Sequence, residues 1–421
     1  MSQEYSKKFP INTATACQSK WTWSTIWLNR GQTSSCHRVE PVNIDPENFN
    51  NFHNLPKKIA DRELMLEGQW PKGGCEYCQK IETAGGHSDR QHNNNIGGYT
   101  PKELSDNPLA THVTPRIVEI FAQNTCNLQC IYCAEDLSSK IRTENEKFGR
   151  LTVNGADLII GKYLNELSPE QNDEYFDKFI QWLDDNIQGL ARLHLLGGET
   201  FIQHNLMKRI FDVIERKPSP NLQLNIFSNF NAPEKHFYGY INQIKEYCKS
   251  KNIGRFDLTC SIDCWGPEQE YIRSGLNLEK LEKYLAWAAE QSEDWLYLNI
   301  NQTISCMTIK TMPDLIKKLN QYSQHRHIGH YFEFVTGYKW QHPEIFDYSM
   351  WENDFTRIFD VMQSATDEHK EAIARMQGIQ QHLQYHGKHH QMNIEKLHRY
   401  LDELDSRRNT NWRTLFPYLL T

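Results

Sequence analysis

Three cysteines stand close together in one short polar segment of this chain. They are Cys126, Cys130 and Cys133, with the spacing C-x3-C-x2-C. A cubane iron–sulfur cluster takes four thiolate ligands, so three from one loop would leave one iron with an open coordination position. An open position is what separates a reactive metal centre from a structural one. A zinc site completed by a remote Cys or His is the alternative, but zinc knuckles usually carry C-x2-C pairs, so the three-residue gap favours the cluster.

The triplet, with the aromatic Tyr132 directly before its last cysteine, resembles the motif of the radical S-adenosylmethionine (radical SAM) superfamily. In that family the open iron chelates the amino and carboxylate groups of S-adenosylmethionine (SAM). The reduced cluster splits SAM into methionine and a 5′-deoxyadenosyl radical, which removes hydrogen from a substrate. The resemblance therefore implies a [4Fe-4S] cluster and SAM as cofactors, and it assigns Tyr132 to the cofactor site.

Strand-like and helix-like segments alternate from about residue 116 onward. Runs rich in β-forming residues predict six strands, at residues 117–121, 193–196, 222–227, 256–262, 296–301 and 331–335. Helical periodicity is found between them, at residues 174–187, 206–214, 278–289 and 315–322. This alternation predicts an α/β fold with right-handed crossovers and a parallel sheet. The family resemblance implies that the sheet forms a partial (β/α)6 barrel of the TIM type.

A Gly-Gly-Glu sequence follows the second predicted strand, at Gly197, Gly198 and Glu199. Two glycines allow close backbone approach, and the carboxylate beside them can accept hydrogen bonds from an ammonium group. The sequence resembles the GGE motif of radical SAM enzymes, which holds the amino group of SAM. A Gly-Gly-Glu run alone is a weak signal, but its position one strand after the triplet makes it specific.

Polar residues also follow the third and fourth predicted strands. Ser228 and Asn229 end the third strand, Ser261 and Asp263 end the fourth, and Arg273 comes shortly after. We expect the strand-end residues to contact the ribose and carboxylate of SAM. Arg273 can bind a carboxylate bidentately, and the sequence around it resembles a stretch of radical SAM proteins with SPASM or twitch domains in which such an arginine lies near SAM. Turn formation and strand-end capping are the alternative roles of such side chains.

Four further cysteines, Cys17, Cys36, Cys75 and Cys78, precede the predicted barrel. Four thiolates suit either a fully ligated cluster or a structural zinc ion. The pattern resembles the auxiliary-cluster part of SPASM and twitch domains, with a G-x4-C turn starting at Gly31 and a terminal C-x2-C pair. Most of those domains follow the barrel, whereas this segment precedes it. The resemblance implies a second [4Fe-4S] cluster; zinc, or a merely buried Cys17 or Cys36, is the alternative.

The other four cysteines are predicted to lie in regular elements or at their ends. Cys248 and Cys260 are expected to be packing residues. Cys264 and Cys306 each close a predicted strand, so we treat them as candidate hydrogen donors to a substrate radical, with an ordinary strand-end role as the alternative. The histidines near the C-terminus have no cysteine or clear carboxylate partner beside them in the sequence, and solvated surface positions are expected for His382, His386, His389, His390 and His398.

Composition limits the possible function classes. The chain has 421 residues, a net charge of -7 and a mean hydropathy of -0.71. A soluble protein is expected, since no apolar run is long enough to span a bilayer and no secretory signal begins the sequence. Eleven cysteines without an export signal favour a reducing cytoplasm. The sequence has no basic stripe, which argues against a nucleic-acid partner.

These observations predict a radical SAM enzyme with three parts. They are an auxiliary-cluster domain at residues 1–98, the barrel at 99–340 and a helical region at 341–421. The resemblance to enzymes with SPASM or twitch domains implies a ribosomally made peptide as substrate, which undergoes crosslinking, epimerisation or excision. The expected electron donor is a flavodoxin or ferredoxin. Rearrangement or dehydrogenation of a small molecule is the alternative reaction. A zinc- or cluster-bearing interaction protein is the alternative outside enzymes.

Overall fold

The structure is a computed structural model that describes residues 5–6, 11, 13–83, 85–96, 100–101, 112–153, 156–157, 167–292, 294–363 and 370–420. Its strands are β1 (Tyr5–Ser6), β2 (Trp23–Trp27), β3 (Gln32–Ser34), β4 (Val42–Asn43), β5 (Thr100–Pro101), β6 (Ile117–Phe121), β7 (Gln129–Cys130), β8 (Thr152–Val153), β9 (Ala156–Asp157), β10 (Arg192–Leu196), β11 (Ser219–Ser228), β12 (Ile253–Ser261), β13 (Arg273–Ser274), β14 (Leu296–Ile304) and β15 (Ile328–Phe334). Its helices are α1 (Gln18–Thr22), α2 (Pro56–Leu66), α3 (Glu76–Thr83), α4 (Asp89–Ile96), α5 (Ser139–Phe148), α6 (Pro169–Asn186), α7 (His204–Arg216), α8 (Glu234–Lys249), α9 (Pro267–Ile272), α10 (Leu278–Ala289), α11 (Met312–Ser323), α12 (Glu352–Gln363), α13 (Lys370–His386), α14 (Gln391–Arg408) and α15 (Trp412–Leu415).

The chain divides into two compact units, and the first contains Met1–Gln123, Asn165–Ile226 and Gln243–Phe256. Its strands lie in the order β11-β10-β6-β2-β3-β4. β10 pairs in parallel with both β11 and β6, and β2 pairs in parallel with β6. β3 and β4 extend this sheet in antiparallel fashion. The unit is therefore mixed α/β with a mostly parallel sheet.

Local sequence explains the elements of the first unit. α6 begins with a capping box, in which Ser168 and Gln171 each bond the backbone of the other. Its apolar face buries Phe179 and Leu183 completely. β10 buries Leu193 and Leu195 completely, as expected for a strand of a covered parallel sheet.

The second unit contains Asn124–Leu164, Phe227–Asn242 and Asp257–Thr421. β14 and β15 pair in parallel over seven residues, and β7 pairs with β13 in antiparallel fashion. The region after residue 340 supplies most of an apolar cluster that also contains Ile131 of the cysteine loop. Trp351 and Trp412 are fully buried in it. This packing ties the end of the chain to the segment that carries the cysteine triplet.

The six predicted strands are confirmed with end shifts of a few residues, as β6, β10, β11, β12, β14 and β15. The predicted parallel pairing is confirmed for β6, β10 and β11 and for β14 with β15. The sequence did not predict β2, which adds a parallel strand from the cysteine-rich N-terminal region. The barrel, the auxiliary domain and the limits at residues 98 and 340 stay predictions, and residues 97–99 lie outside the described part of the chain. Within that part, no helix combines the length and the apolar character that a membrane span requires.

Candidate functional site

The cysteine triplet lies in a loop with a closely hydrogen-bonded backbone. Cys130 belongs to β7, and the N–H of Cys133 donates to its carbonyl at 3.0 Å. The N–H of Cys126 donates to Oγ of Ser139 at 3.1 Å. Burial raises the pKa of the Cys133 thiol, and the charges of Cys130 and Cys126 raise it further, so the three sulfurs are close enough to interact. Three interacting thiolates on one loop form a donor set that fits a cluster with three protein ligands.

A buried carboxylate network lies beside this loop. Asp263 is fully buried and accepts two hydrogen bonds from Arg273, at 2.8 and 3.0 Å. The hydroxyl of Tyr132 and the N–H of Thr303 also donate to the Asp263 carboxylate, at 2.6 and 2.9 Å. Arg273 is the β13 partner of Cys130. The network therefore connects the end of β12 to the cysteine loop. Three of its members, Tyr132, Asp263 and Arg273, were predicted to contact SAM.

A set of asparagines connects the loop to the segment after β11. The side-chain amide of Asn127 donates to the carbonyl of Asn231 at 3.0 Å, and that of Asn229 donates to Oδ1 of Asn127 at 2.8 Å. Ser228 Oγ accepts the N–H of Phe230, whose φ of 54° is in the left-handed region. Ser228 and Asn229 thus form the tight turn that was the alternative to SAM contact. Their predicted role toward SAM stays a prediction.

The Gly-Gly-Glu segment belongs to the first unit. Gly197 and Gly198 have φ values of 91° and 53°, and a Cβ at Gly197 would lie 2.9 Å from the carbonyl oxygen of Gln123. A glycine is therefore required where the segment passes the end of β6. Glu199 is fully buried and its carboxylate accepts the N–H of Phe201 at 3.1 Å. The described contacts give this carboxylate a capping role, and its predicted role toward the SAM ammonium is not tested by them.

The two candidate hydrogen donors are fully buried. Cys264 and Cys306 belong to the apolar cluster of the second unit, and burial raises the pKa of both thiols. The N–H of Cys264 donates to the side-chain oxygen of Gln269 at 3.0 Å, and the hydroxyl of Tyr418 donates to the carbonyl of Cys306 at 3.3 Å. This placement favours packing over hydrogen donation. Ser261, at the end of β12, is half-buried.

Residues from the C-terminal region hold the carbonyls of the cysteine loop, which the sequence did not indicate. The hydroxyl of Tyr400 and the side-chain amide of Gln341 both donate to the carbonyl of Ile131, the latter at 2.9 Å. The hydroxyl of Tyr338 donates to the carbonyl of Cys133 at 3.4 Å. These donors orient the backbone between the second and third cysteines. No local pattern in the sequence identifies them, because the contacts are long-range.

A buried cation of α14 also supports this loop. Arg408 donates to the carbonyl of Gln129 at 3.0 Å and bidentately to the carboxylate of Glu144, at 2.9 Å to each oxygen. A solvent-open pocket adjoins these groups, and Cys130 and Cys133 contribute to its lining. Positive charge near thiolates stabilises their anionic form and therefore favours metal or cluster binding.

The four N-terminal cysteines are brought together within the first unit. Burial raises the pKa of Cys17 to about 12 and that of Cys75 to about 11, and in both cases Cys36 adds to the shift. Cys78 interacts in the same way with Cys36 and Cys75. Four interacting sulfurs are the donor set of a fully ligated cluster or of a zinc site with four thiolate ligands.

Backbone contacts join the Cys36 segment to the Cys75 turn. The N–H of Glu40 donates to the carbonyl of Gly73 at 2.9 Å, and the carboxylate of Glu76 accepts the N–H groups of Gly73 and Gly74. A Cβ at Gly74 would lie 2.0 Å from the carbonyl oxygen of Arg38, so this approach requires a glycine. The two turns therefore hold their cysteines at a fixed separation.

Lys20 is a buried cation among these cysteines, with only 3% of its side chain exposed. Its ammonium group lies 2.6 Å from the carboxylate of Asp61 and interacts with the thiolates of Cys75 and Cys36. A positive charge at this position stabilises the thiolates that a metal centre needs. The position of Lys20, three residues after Cys17, did not indicate this role in the sequence.

A second polar cluster lies inside the first unit and was also missed. Glu119 of β6 is 3% exposed, and its carboxylate lies 3.1 Å from both Thr25 Oγ1 and His37 Nδ1. Burial lowers the pKa of His194, on neighbouring β10, to about 4. The Nε2 of His194 is buried and has no hydrogen-bond partner within the described residues. A charged residue inside the apolar run of β6, and a histidine inside that of β10, are the sequence signals that could have found this cluster.

The expectation of solvated C-terminal histidines was wrong for two of them. His382 Nε2 lies 3.0 Å from the carboxylate of Glu344, which is distant in sequence but adjacent in the fold. His398 is half-buried, bonds the carbonyl of Leu419 at 2.7 Å and stacks on Trp412. Sequence neighbours cannot reveal partners that tertiary contacts provide.

Comparisons with known proteins give a limited likeness. No family model and no curated protein matches this chain. Crystal structures of SuiB from Streptococcus suis match in three forms. The form with S-adenosylmethionine and the form with precursor peptide SuiA are each 15% identical with a TM-score of 0.36, covering 80% and 82% of this chain and 68% and 69% of theirs. SuiB itself is 14% identical with a TM-score of 0.37, covering 80% of this chain and 67% of that one. A likeness of this size does not define a shared fold or activity.

Proposed function

We propose that this protein is a radical SAM enzyme with an auxiliary iron–sulfur cluster in its N-terminal region. The observation that carries the proposal is the C-x3-C-x2-C triplet, whose three sulfurs interact within one loop that hydrogen bonds hold in place. Three ligands suit a cluster that must keep one iron open for a cofactor. The proposal includes a partial (β/α)6 barrel at residues 99–340, preceded by the auxiliary domain and followed by the helical region.

When bound, a [4Fe-4S] cluster with an open iron would supply the electron that splits SAM into methionine and a 5′-deoxyadenosyl radical. Cys126, Cys130 and Cys133 would be its ligands. Arg273 and Asp263, which bind each other bidentately, would fix β13 against β7 and so hold Cys130 in place. A bidentate pair gives geometric definition as well as energy.

The remaining SAM contacts come from the resemblance to the family. Glu199 would hold the SAM amino group, and Gly197 and Gly198 would allow SAM to approach the backbone. Ser228, Asn229 and Ser261 would contribute polar contacts to the cofactor. The interacting quartet of Cys17, Cys36, Cys75 and Cys78, of which Cys75 is buried and the other three are half-buried, would ligate a second [4Fe-4S] cluster.

An auxiliary cluster suits oxidative chemistry, because it can accept the electron that a product radical releases. We therefore propose peptide maturation as the reaction, with a ribosomally made peptide as substrate and a flavodoxin or ferredoxin as the electron donor in the cytoplasm. Radical rearrangement or dehydrogenation of a small molecule would use the same triplet.

Anaerobic reconstitution with iron and sulfide tests the proposal. Two cubane clusters predict about eight irons per chain and formation of 5′-deoxyadenosine from SAM under dithionite. Cys248 lies in α8, outside both cysteine sets, so a Cys248→Ala variant is a matched control that should keep both properties. Tightly bound zinc without SAM cleavage would instead indicate the interaction protein.

A further inference from the structure

A group of three metal-binding side chains lies in the second unit, away from the cysteine sequence motifs. His342 directly precedes the 3-10 turn Pro343–Ile345, which contains Glu344. His382 is in α13, one helical turn before the last residue of that helix, His386. Their ligand atoms all lie within 4.8 Å of one another. Glu344 Oε2 is 3.0 Å from His382 Nε2 and 3.5 Å from His342 Nδ1. One carboxylate oxygen therefore lies close to a ring nitrogen of each imidazole.

These distances suit a tetrahedral metal ion. Zinc binds imidazole nitrogen and carboxylate oxygen at about 2.0–2.2 Å, which places neighbouring ligand atoms roughly 3.3 Å apart. Small side-chain rotations would bring all three groups to that spacing. The N–H of Glu344 donates to His342 Nδ1 at 3.2 Å, and a metal would replace that hydrogen bond.

Aromatic packing orients both imidazole rings. The ring centroid of Phe334, at the end of β15, lies 4.4 Å from the ring centroid of His342 and 5.1 Å from that of His382. The ring of His386 lies 4.6 Å from that of His382, one helical turn further along α13. Two histidines at i and i+4 on one helix face form a recognised zinc-binding arrangement. His386 or a water molecule could therefore complete the coordination.

Backbone contacts hold the two ligand-bearing segments at a fixed distance. The N–H of Lys388 donates to the carbonyl of Glu344 at 3.0 Å, and that of His390 donates to the carbonyl of Ile345 at 2.8 Å. A Cβ at Gly387 would lie 3.1 Å from the carbonyl oxygen of Phe346, so the end of α13 passes close to this segment. A metal would then bind to a site that is already formed, without reordering the chain.

We propose that His342, Glu344 and His382 bind one divalent metal ion of the zinc class, with His386 or water as the fourth ligand. Two imidazoles and one carboxylate suit Zn²⁺, and also Co²⁺ and Ni²⁺, better than Mg²⁺ or Ca²⁺. The site is chemically distinct from both cysteine sets, because it contains nitrogen and oxygen but no sulfur. Its effect is to join α13 to the segment that follows β15.

The test compares zinc binding by the full-length protein with that of three variants. His382→Ala removes a ligand, and Glu344→Gln removes the carboxylate charge without changing the size of the side chain. His389→Ala is the matched control, because this exposed histidine of the same segment contacts Gln391 and lies outside the group. Because thiolates also bind zinc, all four proteins are first loaded anaerobically with iron and sulfide.

Wild type and His389→Ala should bind one more Zn²⁺ per chain than the ligand variants, whose affinity should fall at least about ten-fold. X-ray absorption of that zinc should show nitrogen and oxygen at about 2.0 Å and no sulfur at about 2.3 Å. Added Zn²⁺ should raise Tm for wild type and His389→Ala only. Equal zinc binding by Glu344→Gln, His382→Ala and His389→Ala would overturn the proposal, as would sulfur ligation. None of these measurements depends on SAM cleavage.

Discussion

The two cysteine sets of this protein are built in different ways. The quartet of the first unit spans residues 17–78, and backbone contacts between neighbouring turns, such as that of Glu40 with Gly73, hold it together. The triplet of the second unit occupies only residues 126–133, but its carbonyls are held by Tyr400 and Arg408, which bond residues 269 and 279 positions earlier. The quartet is therefore held by contacts within its own region of the sequence, whereas the triplet depends on residues near the end of the chain.

Buried charge also differs between the two sets. Lys20 gives the quartet a compact cation paired with Asp61, and Arg273 gives the triplet a planar cation paired bidentately with Asp263. The bidentate pair defines an orientation, while an ammonium group acts mainly as a point charge. We therefore expect the triplet to be more sensitive to geometry than the quartet.

The largest effect is expected when one ligand is removed from each set. Cys130→Ala should abolish 5′-deoxyadenosine formation and retain about four irons, because the proposed auxiliary cluster would remain. Cys78→Ala should also lose about four irons but retain SAM cleavage. Iron analysis and chromatographic assay of 5′-deoxyadenosine measure both. If Cys78→Ala abolished SAM cleavage in a folded protein, the two sets would not be functionally separable.

The next effect concerns the buried ion pair beside the triplet. Asp263→Asn should lower the free energy of unfolding by about 3–5 kcal/mol, because Arg273 would remain buried without its counter-charge. The double change Asp263→Asn with Arg273→Met should recover part of that loss. Urea unfolding followed by circular dichroism measures the change.

Asp314→Asn is the matched control for that pair. Asp314 is 46% exposed and lies 3.6 Å from Lys317 on the same helix, so its loss should cost no more than about 1 kcal/mol. A similar cost at Asp263 and Asp314 would show that the buried pair does not support the loop.

A pH effect should distinguish the interior of the first unit. The pKa of His194 is lowered from 6.5 to about 4 by burial, so its neutral form stabilises the fold above pH 6.5. This contribution is lost as pH falls from 6.5 towards 4, by an amount on the order of 3 kcal/mol. His194→Gln should therefore flatten the dependence of Tm on pH in that window. A His194→Gln profile equal to that of wild type would contradict the assignment.

The smallest effect concerns the long-range hydrogen bond to the triplet loop. Tyr400→Phe removes the hydroxyl donor to Ile131 while Gln341 still donates to the same carbonyl, so the expected cost is about 1 kcal/mol. The triplet cluster should lose iron faster during chelator challenge, and the quartet should not. Tyr385→Phe, at a tyrosine that is 80% exposed, is the control. Equal iron loss from the triplet and the quartet in Tyr400→Phe would contradict the view that long-range contacts support only the triplet.

Much of the local structure could be predicted because it follows from short-range patterns. β6 was predicted with its observed bounds, and so was α10, since an apolar β-rich run and a helical period are properties of consecutive residues. β2 was not predicted, because Trp23–Trp27 stands in a region whose composition resembles a loop and its strand form depends on pairing with β6.

The residues of the candidate site could be predicted, but the contacts between them could not. The sequence indicated Asp263, Arg273 and Tyr132 as site residues, but it could not show that the three would bind one another. The sequence indicated no carboxylate partner for His382, because Glu344 is 38 positions away and only the fold brings the two side chains together.

The sequence by itself determined how many thiolates each site can offer, where most of the core strands begin and end, and which residues follow them. Only the tertiary structure decided that Tyr400 and Arg408 support the cysteine loop, that Lys20 lies among the quartet and that Glu344 meets His382. The physical reason is that ligand number and periodicity are set by consecutive residues. The environment of a buried charge is set by which distant segments pack around it.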